Sequence, residues 1–171
     1  MPSKKADINI FIAYAREDAA MLKKLRKQLK VLERTKNIHI WYDGLINVGQ
    51  YWEQEIKDAL HNADIILLLI SSDFLASDYC YENEMTTALE LHQQGNVRTV
   101  PIILRECLWK DTPFATLQAL PQDGVPVTSK VWETTDQPYV HIAKELKKII
   151  VICPGKQYLH ILSYLTCLRS G

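Results

Sequence analysis

Ile65, Ile66, Leu67, Leu68, Leu69 and Ile70 form an unbroken apolar run immediately ahead of a polar cluster at residues 71–85. Such a run, without polar alternation, predicts a parallel strand buried on both faces. Around it two hydrophobic periods alternate. β-branched and aromatic residues at 8–14 predict a first strand, and Leu22, Leu25, Leu29 and Leu32 follow at helical spacing. Lys23, Lys24, Arg26, Lys27 and Lys30 occupy the other face of that helix, the pattern of a solvated surface. A second short strand at 38–42 is closed by Asp43 and Gly44, and a loop leads to a helix at 51–63. Further on, the pattern predicts a helix over 84–92, a strand over 99–104 and an amphipathic helix over 139–152. Between these, the proline-punctuated stretch 105–129 predicts a short helix at 114–120 and a short strand at 125–127. Strands alternating with helices predict right-handed βαβ units and a five-stranded parallel sheet.

Composition narrows the function classes. The 171 residues suit one domain, and 20 Lys plus Arg balance 20 Asp plus Glu, so no net field draws in nucleic acid or an anionic membrane. No run reaches the ~18 apolar residues of a membrane-spanning helix. Cys80, Cys107, Cys153 and Cys167 are widely spaced without a CxxC pair, which predicts reduced thiols in a cytoplasmic protein. The five histidines have no metal-ligand spacing. No GxGxxG follows the first strand, which argues against a nicotinamide redox enzyme. That strand ends in Ala13 and Tyr14 where a phosphorelay receiver would need paired acids.

The polar cluster after the apolar run reads as a site, because the crevice beyond the carboxyl ends of parallel strands is where open α/β sheets bind ligands. It holds Ser71, Ser72, Asp73, Phe74, Tyr79, Cys80, Glu82 and Glu84. Tyr14 and Arg16 follow the first strand at the same sheet edge. Arg16 suits a ligand phosphate or an ion pair with Glu17 or Asp43. Tyr79 suits stacking on a flat ring or a partly buried helix start. Ser71, Ser72 and Ser77 suit helix caps or ligand contacts. Cys80 has no histidine nearby in sequence to activate it as a nucleophile.

Three stretches together resemble the Toll/interleukin-1 receptor (TIR) domain family in its bacterial form, over about residues 8–150. Tyr14-Ala15-Arg16-Glu17-Asp18 is similar to the family's Ser/Ala-Tyr-x-x-x-Asp box. Trp41-Tyr42-Asp43, with Gly44, Gly49 and Trp52, resembles the strand and mobile loop known there as the BB loop. Residues 71–85 are similar to a Ser-x-x-(Phe/Tyr)-x-x-Ser-x-(Trp/Tyr)-Cys-x-x-Glu pattern, with one departure: three residues separate Cys80 from Glu84, and strict spacing falls on Asn83. The resemblance implies a flavodoxin-like α/β fold, a TIR domain over residues 1–152 and a tail over 153–171. In that tail Tyr158, Ile161, Leu162, Leu165 and Leu168 recur at helical spacing.

The family contains non-catalytic adaptors, which signal through TIR–TIR contacts, and enzymes that hydrolyse or cyclise NAD⁺. For an enzyme the resemblance implies Glu84 as catalytic residue, preferred to Glu82 because an apolar residue, Met85, follows it. It implies Tyr14, Arg16, Asp43, Ser72, Phe74 and Tyr79 around the substrate, with no cofactor and no metal. It further implies an assembly loop of Gly44, Leu45, Ile46, Val48, Gly49 and Trp52 docking on other TIR protomers head to tail. A fused or separate sensor domain and a role in bacterial antiphage immunity complete that expectation. One carboxylate suffices chemically. Nicotinamide leaves NAD⁺ as a neutral molecule, so the leaving-group acid of an ordinary glycosidase is not needed. What remains is to steady positive charge at the anomeric carbon.

Overall fold

In the computed structural model, which describes residues 7–152, the apolar run forms strand β3 (Ile65–Ile70), buried at all six positions. It stands at the centre of a parallel four-stranded sheet in the order β2-β1-β3-β4. The neighbours are β1 (Ile8–Ala13), β2 (Ile38–Trp41) and β4 (Arg98–Ile103). Register sets Ile10 beside Ile65 on one side and Leu67 beside Val100 on the other. Successive side chains of a strand point to opposite faces. Accordingly Ile65, Leu67 and Leu69 enter one core while Ile66, Leu68 and Ile70 enter the other.

The first core is covered by α1 (Ala19–Thr35), through Leu22, Leu25, Leu29 and Leu32, and by α5 (Gln137–Ile152), through Tyr139, Ile142, Leu146 and Ile150. On the second face lie α2 (Trp52–Asn62) and α4 (Thr86–Gln93), with Ile56, Leu60, Ala88 and Leu91 turned inward. Between β3 and α4 the chain forms a short helix, α3 (Ser72–Ala76), and a π-helix (Tyr79–Met85). The helix expected to begin near Glu84 therefore starts earlier and is irregular.

The fifth strand is a correction. Leu120 bridges to Ile102, its N–H donating to the Pro101 carbonyl and its carbonyl accepting from Ile103, both at 2.8 Å. The chain then enters a 3₁₀ turn (Gln122–Gly124), so pairing stops after one residue. Val127 rejoins the edge with one bond to the Ile103 carbonyl. The helix expected at 114–120 is a single 3₁₀ turn (Pro113–Thr116). Cys153, Cys167 and the periodic residues 158–168 lie outside the described residues.

Candidate functional site

Connections leave β1 and β3 toward opposite sides of the sheet, which opens a crevice at their carboxyl ends, the position where doubly wound sheets take ligands. A cavity of about 450 Å³ occupies it. Tyr14, Ala15, Arg16 and Glu17 enter from the end of β1, Asp43 from beyond β2, and Trp52 from the start of α2. Asp73, Ala76 and Ser77 come from α3 and its end, and Tyr79, Cys80 and Glu84 from the π-helix. Five of the residues expected around a substrate are thus brought together: Tyr14, Arg16, Asp43, Tyr79 and Glu84.

Two others are placed elsewhere. Phe74 is fully buried in the second core, because α3 turns its aromatic side chain toward the sheet, with Leu75 packed beside that core. Ser72 is exposed and outside the cavity lining. Its neighbour Ser71 caps α3, accepting from the Phe74 N–H at 3.1 Å, and Ser77 accepts from the Cys80 N–H at 3.3 Å.

Glu84 is 5% exposed, while Glu82 lies on the solvent side of the same helix. Burial pushes the Glu84 carboxyl up to about 8; hydrogen bonding with Cys80 opposes that shift and the nearby Asp43 charge adds to it. The Cys80 thiol donates to the Tyr14 carbonyl at 3.6 Å, and burial beside Glu84 pushes it up to about 12. A thiol so held is no nucleophile at neutral pH.

Opposite Glu84, Asp43 hydrogen-bonds with the Tyr14 phenol, whose pKa is raised by burial and then by that carboxylate. The Asp43 Oδ1 is enclosed and has no hydrogen-bond partner among the described residues. Gly44 lets the chain pass close by, since a Cβ there would stand 2.7 Å from the Tyr42 ring. Tyr79 and Trp52 pack ring against ring at a 40° tilt, with centroids 4.4 Å apart, and burial pushes the Tyr79 phenol up to about 12. Arg16 is exposed at the rim, and among the described residues no ion pair joins it to Glu17 or Asp43. No group of His, Cys, Asp and Glu among the described residues could hold a metal ion.

An ion network beneath the cavity escaped the sequence reading. Arg105, just beyond β4, donates to Asp18 at 2.7 Å and also to Asp73. Asp18 is 2% exposed and accepts from Ser71 as well. The network joins the ends of β1, β3 and β4, so it fixes the spacing of the segments that carry Arg16 and Asp73. A lone arginine directly after an apolar strand was the available signal.

The loop after β2 opens with a 3₁₀ turn (Asp43–Leu45). Leu45 is 44% exposed, Tyr51 is 86% exposed and Val48 is fully exposed. Ile46, expected on that surface, is a correction: it is partly buried and packs on the second core. Gly49 has φ +91° with open space around it, a conformation that favours glycine. Trp52 is 36% exposed and shared between this surface and the cavity.

Comparisons with known proteins agree with the fold. A 140-residue stretch is 41% identical to the uncharacterized protein y4lF of Sinorhizobium fredii (strain NBRC 101917 / NGR234), covering 82% of this chain and 43% of that protein. The chain thus spans less than half the length of this relative. Among solved structures, the TIR domain of the Toll-related receptor TRR-2 from Hydra magnipapillata superposes with a TM-score of 0.52 at 21% identity, over 65% of this chain and 81% of that one. The family model described as TIR domain matches residues 10–125, and with it the cavity's β1, β2 and β3 edges, so the chain belongs to the TIR domain family.

Proposed function

We propose that this TIR domain cleaves the bond between nicotinamide and ribose in NAD⁺, with Glu84 as the catalytic residue. The observation that carries the reading is the placement of Glu84: a carboxyl enclosed in the crevice at the β1 and β3 ends, while Glu82 faces solvent. Asp43 adds a second acid with an unpartnered oxygen, so the cavity suits a cation that also carries hydroxyl groups. Nicotinamide riboside units have both properties.

The chemistry follows from charge. In the empty cavity Glu84 keeps its proton at neutral pH, because its pKa is about 8. A nicotinamide cation beside it favours the anion, so binding expels that proton to solvent. As the glycosidic bond breaks, its electron pair neutralises the departing pyridine nitrogen. Positive charge then grows at the anomeric carbon, where the Glu84 carboxylate stabilises it. Water adds there to give ADP-ribose, losing a proton to solvent. An internal nucleophile of the same molecule gives a cyclic isomer. Tyr79 and Trp52 offer flat surfaces for the pyridine, and Arg16 a cation for a phosphate.

Activation runs through self-assembly in this reading. Leu45, Val48 and Tyr51 present apolar surface on the loop that leads into Trp52, so a protomer docking there acts on the cavity through one side chain. Head-to-tail contacts of that kind extend into filaments when they do not close. The same exposed surface favours the second reading, a TIR adaptor that assembles without chemistry. Concentrated protein incubated with NAD⁺, with free nicotinamide followed by chromatography, separates the two. Release that disappears in Glu84→Gln and persists in Glu82→Gln supports the enzyme. NAD⁺ left intact by self-associated wild-type protein supports the adaptor.

A further inference from the structure

Tyr79, Cys80 and Glu84 span five residue steps, yet all three line one wall of the cavity. In an α-helix, at about 100° per residue, Glu84 would stand ~140° around the axis from Tyr79 and Cys80 ~100° from it. The segment is instead a π-helix, whose bonds close on the fifth residue back, at roughly 82° per residue. Glu84 then returns to ~50° from Tyr79, between it and Cys80.

The two ends of this segment are anchored separately. At its start Tyr79 packs against the Trp52 ring, the Cys80 thiol bonds the Tyr14 carbonyl, and the Tyr81 N–H donates to the Ser77 carbonyl at 2.9 Å. At its end Met85, Ala88 and Leu91 pack in the second core, and Glu84 continues the inward stripe of Ala88 and Leu91. Between the anchors Glu82 and Asn83 are exposed. Thr86 Oγ1 donates to the Tyr81 carbonyl at 3.2 Å, a five-residue span matching the wider turn.

We infer that the π-helix is a one-residue insertion in the site helix, that Asn83 is the surplus residue, and that the widened turn absorbs it and so keeps Glu84 aimed into the cavity. Without Asn83 an ordinary α-helix would satisfy both anchors, since Glu84 would lie four steps, or ~40°, from Tyr79. The same change gives the Cys-x-x-Glu spacing from which this sequence departs. Asn83 is thus a spacer that the turn accommodates, and Thr86, whose hydroxyl bonds across that turn, is a positioning residue acting only through Glu84. The inference rests on the NAD⁺ reading for its activity readout alone.

The test is deletion of Asn83 from the full chain, alone and combined with Glu84→Gln. Glu84 is followed by ¹³C NMR titration of its carboxyl, assigned with Glu84→Gln, beside nicotinamide release as a function of pH. The deletion variant is expected to keep the raised carboxyl titration and the wild-type pH profile, with a rate within about threefold of wild type. Its release should vanish in the double variant. A folded deletion variant whose Glu84 titrates like an exposed carboxyl, or whose rate falls more than ~30-fold, overturns the inference. Deletion of Glu82 is the second variant, and failure of both to fold overturns it too. If wild-type protein releases no nicotinamide, the enzymatic reading fails, and the titration still decides whether the turn absorbs Asn83 and keeps Glu84 aimed.

Discussion

Helix α1 and the π-helix face the same sheet from opposite sides, and they solve different problems. α1 runs regularly through Ala19–Thr35, with a single inward stripe of leucines and a basic outer face. One surface, the sheet, sets its rotation, so the ordinary helical period is enough. The π segment answers to two surfaces: the second core holds Met85, while the cavity needs Tyr79, Cys80 and Glu84 on one wall. Regularity gives way where packing and chemistry set different phases, as is common for π turns at functional sites.

Breaking the chemical side should give the largest effect. Glu84→Gln is expected to lower nicotinamide release by at least ~100-fold, with the thermal midpoint unchanged or raised because a buried ionisable group is lost. Glu82→Gln should stay within about twofold of wild type by the same assay. Breaking the packing side should do the reverse. Leu25→Ala is expected to cost about 2–5 kcal/mol in urea unfolding, with the rate per folded molecule unchanged.

The Arg105 network lies between these extremes. Arg105→Met leaves Asp18 enclosed without its cation, and the 37% exposure of the Arg105 side chain moderates the loss to about 1–2 kcal/mol. Nicotinamide release should fall with it, since the spacing of Arg16 and Asp73 depends on the same bonds. The comparison sharpens with pH. Folded protein keeps the Glu84 proton to about pH 8, whereas an unfolded chain gives it up near the ordinary 4.5. Between those values the folded state binds more protons, so its stability falls as pH rises, by up to a few kcal/mol. Urea titrations from pH 5 to 9 should show that slope in wild type and lose it in Glu84→Gln. The smallest effect is expected for Thr86→Val, about 0.5–1 kcal/mol from one lost hydrogen bond at the π turn.

What was legible in the sequence divides along the same line. β3 and the α1 leucines could be read because burial imposes a period that composition displays. The edge beyond β4 could not, since a one-residue bridge followed by a turn has no period at all. Glu84 stood out through its apolar neighbour Met85, although neither strand nor helix periodicity describes a π turn. Phe74 sits in a five-residue helix, too short for its spacing to show which way it faces. Arg105 remained hidden because its partners lie 87 and 32 residues away in sequence.

The separation of the acid from the loop has a consequence for how such a domain diversifies. Glu84 takes its bearing from the interior through Met85, Ala88 and Leu91, whereas Leu45, Val48 and Tyr51 sit on a surface loop that does not carry the acid. Beyond Asp43, whose charge adds to the Glu84 shift, that loop can therefore be rewritten to suit a new neighbour without retuning the carboxyl. Trp52 belongs to both the exposed loop surface and the cavity lining, which makes it a bridge between who docks and what reacts.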